Sequence, residues 1–113
     1  MKTPVMCVQR KMRMMFLRIE GSTGTPSLEG PSKLECSIAD TAEGVYTITF
    51  DKAFIQAPIV VAVSENADAV ISVTSSTTAC VVTSKDLDET AAAKDSDVHV
   101  MICGADASGF YNS

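Results

Sequence analysis

Apolar and polar residues alternate over most of the chain beyond residue 33, and the alternation is clearest in residues 44–50 (GVYTITF). There Tyr46, Ile48 and Phe50 share one parity, while Val45, Thr47 and Thr49 share the other. A period of two in β-branched and aromatic residues predicts a strand. Residues 59–63 (IVVAV) are continuously apolar, as expected of a strand covered on both faces. Pro58 between them has no N–H to donate and biases Ala57 toward extended backbone, so the second strand is expected to begin at or just after Pro58. The two runs are expected to form the centre of the domain, with Tyr46, Ile48, Phe50, Phe54, Val61 and Val63 in its core.

Further runs flank this pair. Residues 33–38 (KLECSI) set Leu34, Cys36 and Ile38 against polar neighbours, the pattern of a half-buried strand, and 39–44 read as a turn. Residues 64–68 make a hairpin loop, 69–74 a strand, 75–78 a turn and 79–83 a returning strand. Residues 85–97 hold Asp86, Asp88, Glu89, Asp95 and Asp97 and read as an acidic surface loop. Residues 98–103 (VHVMIC) are the last strand, and a polar tail is expected from Gly104. Short strands at regular spacing with turn residues between them predict an all-β fold, a small antiparallel β-sandwich or jelly-roll-like domain.

The first 32 residues break this pattern. Residues 12–19 (MRMMFLRI) read as a strand with Arg13 and Arg18 snorkelling, or as one helical segment. Five of the six methionines lie in the first fifteen residues, and flexible thioethers suit irregular grooves. Residues 21–32 hold three Gly and two Pro and are expected to be an extended connector without regular structure. The chain is therefore divided into an N-terminal arm and connector, 1–32, and a β-sandwich domain, 33–113.

Composition narrows the picture. At 113 residues, 46% hydrophobic and 20% charged, one globular domain is expected. With 5% aromatic residues and no Trp, Val, Ile and Ala must fill the core. Residues 1–20 carry five cations against Glu20, a balance of +4, while the remaining four cations face 13 anions, a balance of −9. A basic arm on an acidic body suits docking to an acidic protein surface. The apolar run 5–8 is too short for a signal peptide, and no run approaches the ~18 apolar residues of a membrane span. Synthesis in the cytosol is expected. Cys7, Cys36, Cys80 and Cys103 match no zinc spacing, and Cys36, Cys80 and Cys103 are expected to be buried free thiols.

Little chemistry is visible. His99 is the sole histidine, without a nucleophile elbow, and is expected to be a hydrogen-bonded structural residue. Asp86, Asp88 and Glu89 lack the spacing and Gly of a full EF-hand loop. The cluster Arg10, Lys11 and Arg13 is too short for nucleic-acid binding on an acidic chain. No enzyme activity, metal or cofactor is expected.

Residues 44–50, with Ala53 and Phe54, Ala57 and Pro58, and the valine run 60–62, resemble a pattern of small structural proteins of tailed bacteriophages. The stretch is also similar to H-type-lectin-like modules of phage fibres, and residues 97–104 are similar to their last strand. The resemblance covers roughly residues 40–104. It implies a virion structural protein, a capsid decoration (cement or staple) protein on the outer capsid surface, made in the host cytoplasm. Its partners would be the major capsid protein and copies of itself, with no nucleic acid and no membrane. In that reading the arm anchors the protein through Arg10, Lys11, Met12, Arg13, Met14, Met15, Phe16, Leu17 and Arg18. A tail-fibre or spike domain binding host glycans is the alternative.

Overall fold

A computed structural model describes residues 10–21, 25–87 and 95–110, the side chains of 10, 11, 41 and 106–110 excepted. Eight strands run β1 (Arg10–Glu20), β2 (Ser27–Glu29), β3 (Cys36–Ala42), β4 (Val45–Phe50), β5 (Ile59–Ser64), β6 (Ala69–Ser75), β7 (Ala79–Asp86) and β8 (Val98–Phe110). They form two four-stranded sheets, sheet A in the order β2-β1-β8-β5 and sheet B in the order β3-β4-β7-β6. All pairings are antiparallel. The fold is thus a small antiparallel β-sandwich, as the alternation predicts.

The two sheets meet through one side of every strand. Sheet A contributes Met15, Leu17 and Ile19 from β1 and Val98, Val100 and Ile102 from β8. Sheet B contributes Cys36, Tyr46, Ile48, Phe50, Cys80 and Val82. Phe54, in the crossover from β4 to β5, plugs one end and meets Phe50 edge to face, ring centroids 5.1 Å apart. Gly104 lies against this plug: a Cβ there would come within 2.8 Å of the Phe54 ring and 2.9 Å of Pro58. Glu43 and Gly44 form the tight turn of the β3–β4 hairpin, and Gly44 takes φ +72°, where a side chain would be strained.

At the other end Tyr46 is fully buried and its hydroxyl is satisfied. It accepts the Ser96 N–H at 3.2 Å and bonds Asp95 Oδ1 at 3.1 Å, and the same carboxylate oxygen accepts the Gly44 N–H at 2.8 Å. Beside it the Ser84 and Ser96 hydroxyls bond each other at 2.9 Å. Isolated in an apolar interior these polar groups would cost ~1–3 kcal/mol each; paired, they fix how the β7–β8 connector enters the fold.

Several expectations are corrected. Residues 10–20 are not an arm but an inner strand of sheet A, paired with β8 from Arg10 to Ile19 and with β2 from Arg18 to Glu20. Alternate residues of that run complete the core, which is why the cut at 32/33 does not separate two structural units. The connector contributes β2, and Ser32 closes the edge of β1 by accepting the Phe16 N–H at 3.0 Å. Residues 33–35 form a 3-10 turn rather than the start of a strand, leaving Leu34 85% exposed. β3 extends to Ala42 and β8 to Phe110, so residues 39–42 and the start of the expected tail are strand. β5 is a sheet edge, not a central strand, and it pairs with β8 rather than with β4.

Candidate interaction face on sheet A

Each sandwich sheet has a second side, turned away from the core, and here the two differ in chemistry. On sheet B it carries Ser37, Thr47, Thr49, Ser72, Thr74, Thr83 and Lys85, a polar surface with scattered Val and Ala. On sheet A it is largely apolar. Met12, Met14 and Phe16 of β1, Met101 of β8 and Ile59, Val61 and Val63 of β5 project from it, between 39% and 72% exposed.

Strand register sets these side chains in a grid. Met14, Cys103 and Ile59 lie in one row, Phe16, Met101 and Val61 in the next, and Arg18, His99 and Val63 in the third. No bulge interrupts β1 between Met12 and Ile19; the only irregularity lies between Arg10 and Met12. With strands about 4.8 Å apart and rows about 6.8 Å apart, the seven apolar positions of these rows give a footprint of roughly 230 Å². The accessible area is larger, since the side chains stand up from the sheet, which puts the patch in the range of the largest on ordinary monomers, ~300–600 Å² and often functional. A shallow groove of about 270 Å³ runs between Phe16, Val61, Val63, His99 and Met101.

One rim of this face is charged. The Arg18 guanidinium holds three carboxylates of its own chain: Glu65 at 2.5 Å, Glu20 at 2.8 Å and Asp97 at 3.3 Å. Hydrogen bonding to Glu65 and Glu20 pushes the Arg18 pKa further up, and the Arg18 bond holds the Glu65 carboxyl below its ordinary range. His99 Nε2 lies 2.9 Å from the same Glu65 oxygen that meets Arg18. The cluster ties β1 to the β5–β6 loop and to the start of β8.

The nine residues expected to anchor an arm are therefore divided by strand parity. Met12, Met14 and Phe16 lie on the open face. Met15 and Leu17 are buried in the core and cannot meet a partner. Arg18 is engaged within the chain. Arg13 turns to the Phe54 end, 4.1 Å from the ring centroid, and donates to the Lys52 carbonyl at 2.6 Å. The side chains of Arg10 and Lys11 lie outside the described residues.

Of the six expected core residues, Tyr46, Ile48, Phe50 and Phe54 are buried, but Val61 and Val63 are exposed. The pairings Val61 with Met101 and Val63 with His99 place both on the outer side, because cross-strand partners share a face. Val60 and Ala62 face the core instead. Cys103 also sits on the outer side, partly exposed, and of the described cysteines Cys36 and Cys80 are the buried ones. Burial pushes the Cys36 thiol up to about 11 and the Cys80 thiol up to about 12. Cys7, Asp88 and Glu89 lie outside the described residues.

Among the described residues no group of three or more His, Cys, Asp or Glu is arranged to hold a metal ion, and no helix is long and apolar enough to cross a membrane. No family model, curated protein or solved structure matches the chain.

The face contains Ile59, Val61, Val63, Met101 and Cys103, none of which sequence reasoning assigned to a partner surface. A signal exists for β8, where His99 marks the outward parity and assigns 101 and 103 to the same side; on β1 Arg13 and Arg18 fall on opposite parities, so charge does not mark a face. β5 has no such marker between Ile59 and Val63.

Proposed function

We propose that this protein is a non-catalytic structural component of a larger protein assembly, joined to it through the outer face of sheet A. The observation that carries this reading is the seven-residue apolar grid left open on a domain whose core is already complete. Uncovered, such a surface favours association, since burying apolar area contributes ~25 cal/mol per Å². The polar outer face of sheet B supplies the contrast: the chain can make a wet sheet face, and on sheet A it does not.

The likeness of residues 40–104 to small tailed-phage structural proteins makes a phage capsid the first assembly to test, with the protein as a decoration or staple protein on the major capsid protein. In that setting many modest contacts repeated by symmetry act together, and avidity replaces single-site affinity. The revised fold moves the contact from a flexible arm to a rigid sheet, so little ordering entropy opposes binding.

The test is occupancy on purified tailed-phage capsids lacking the protein. Wild type should saturate a fixed number of sites per capsid, and Val61→Glu should lose occupancy while keeping its fold. Absence of wild-type binding, or full occupancy by Val61→Glu, would overturn the proposal.

A further inference from the structure

We infer that the free edge of sheet A, strand β5, pairs antiparallel with β5 of a second copy and joins the two A sheets into one. The inference is independent of what covers the outer face of the sheet. It rests on unpaired backbone groups and on an edge that nothing guards.

Hydrogen bonds fix which way the β5 backbone points. The Glu65 N–H donates to the Asp97 carbonyl at 2.9 Å, and this pair continues the β5–β8 register. Hydrogen-bonded pairs alternate along an antiparallel ladder, so Ile59, Val61 and Val63 bond β8. The parity agrees across the sheet, since the Phe16 N–H on β1 is turned to Ser32 and away from β8. The N–H and C=O groups of Val60, Ala62 and Ser64 therefore point away from β8, to a side where no described strand pairs with them.

Such an edge is a template for another strand, and the other edges are protected against it. β2 is three residues long and is followed by Gly30 at φ +108° and by Pro31. β3 carries Asp40 and a register shift between Asp40 and Ala42. β5 has neither device: its pairing is regular, and no charged residue lies between Lys52 and Glu65. β6 is uncharged too, but its outer side carries Ser72 and Thr74, so pairing there covers little apolar surface. On β5, Val61 and Val63 are 54% and 60% exposed.

The edge complements itself in one register. With a two-fold axis at Ala62, Ala62 faces the partner's Ala62 and Val60 faces the partner's Ser64. Every outward residue then exchanges both backbone bonds with a counterpart, as a closed two-fold interface requires. Val61 meets the partner's Val63 on the outer side, in closely spaced β-branched pairs. Glu65 falls beside the partner's Ile59, about 20 Å along the strand from the partner's Glu65, so like charges do not meet. An axis at Val61 instead sets Ser64 against Pro58, which has no N–H and whose carbonyl already accepts the Ser75 hydroxyl at 2.9 Å. An axis at Val63 sets Val60 against Asn66, beyond the end of the strand.

Sedimentation of the full chain over a concentration series tests the pairing. Wild type should pass from monomer to dimer as concentration rises. Ala62→Pro removes only a donor that faces no strand of its own chain, a place where edge strands tolerate proline, and should melt cooperatively as a monomer. Monomeric wild type at every concentration, or a folded Ala62→Pro that still dimerises, would overturn the inference; the first result would leave the proposed function standing. The register is read by oxidation in a Cys7→Ser, Cys103→Ser background, which decides the matter even where Ala62→Pro does not fold. Val61→Cys and Val63→Cys should each stay uncross-linked alone and give a covalent dimer when mixed, because 61 lies opposite the partner's 63 within disulfide reach. No cross-link in the mixture, or equal cross-linking of either variant alone, would contradict the antiparallel pair centred on Ala62.

Discussion

Phe16 and Met101 stand directly opposite each other on β1 and β8, 85 residues apart in the chain, and both face away from the core. Their strand neighbours Met15, Leu17, Val100 and Ile102 are buried. One step along either strand thus moves from a completed core to an open apolar surface. This parity split underlies both the fold and the functional proposal.

The first consequence concerns the two sides of sheet A. Met15→Ala and Ile48→Ala should each destabilise the domain by ~2–5 kcal/mol, since both remove large, fully buried side chains. Val61→Ala on the outer side should cost about 0.5 kcal/mol or less in the dissociated chain. Denaturant midpoints at low protein concentration would check both. Equal losses at Met15 and Val61 would mean the register of sheet A is wrong.

Removing residues 1–20 should abolish folding. The deletion takes away an inner strand, three core side chains and the partners of both β2 and β8. Circular dichroism and thermal melting of the truncated chain should show no cooperative transition; a preserved one would restore the arm reading.

The fold class was legible because residues 44–50 alternate strictly and short strand-like runs recur with turn residues between them, whereas the pairing of these strands into two sheets is set by tertiary contacts that no single run encodes. β1 was harder to place. Residues 12–19 have apolar side chains on both parities, because one side meets the core and the other an open face, so no polar stripe marks the strand as half-buried. The same holds for Val61 and Val63: a continuous apolar run reads as doubly covered, and here its second cover is not supplied by the chain itself. The Arg18 cluster joins Glu20, Glu65 and Asp97 from three separate segments, a juxtaposition that only topology creates. The interaction face escaped notice for the physical reason that makes it one, since its residues look like core.

Alkaline pH should unfold the domain. Burial pushes the Cys36 thiol to about 11 and the Cys80 thiol to about 12, from an ordinary 9.0, and the Tyr46 hydroxyl to about 12 from 10.0. Raised values mean that folding favours the protonated forms. Their contribution is fully present below pH 9 and is lost as pH rises through 11 and 12. Urea midpoints should fall across this window, and Cys80→Val should flatten part of the fall. In native protein at neutral pH a thiol reagent should spare Cys36 and Cys80 and modify Cys103 when the face is uncovered.

On the acid side the sign reverses. Glu65 is held below its ordinary 4.5 chiefly by its hydrogen bond to Arg18, so its contribution is present above that value and is lost as pH falls through the lower folded value. The group is solvent-exposed, so the effect is small and salt-sensitive. Glu65→Gln should lower the melting temperature slightly at neutral and alkaline pH, where the ion pair is formed, and leave it unchanged at the acid end, so that the acid dependence weakens. An identical acid profile in the variant would show that the ion cluster does not contribute in solution.

The most direct test is the triple variant Phe16→Thr, Val61→Thr and Met101→Thr, which replaces the middle row of the face with a residue that favours strands and tolerates water. Its melting and sedimentation should be measured beside wild type. A variant that melts cooperatively and no longer occupies phage capsids is the predicted result. Loss of the folded state would mean these side chains belong to the domain's own core, and undiminished association would mean that the interface lies elsewhere.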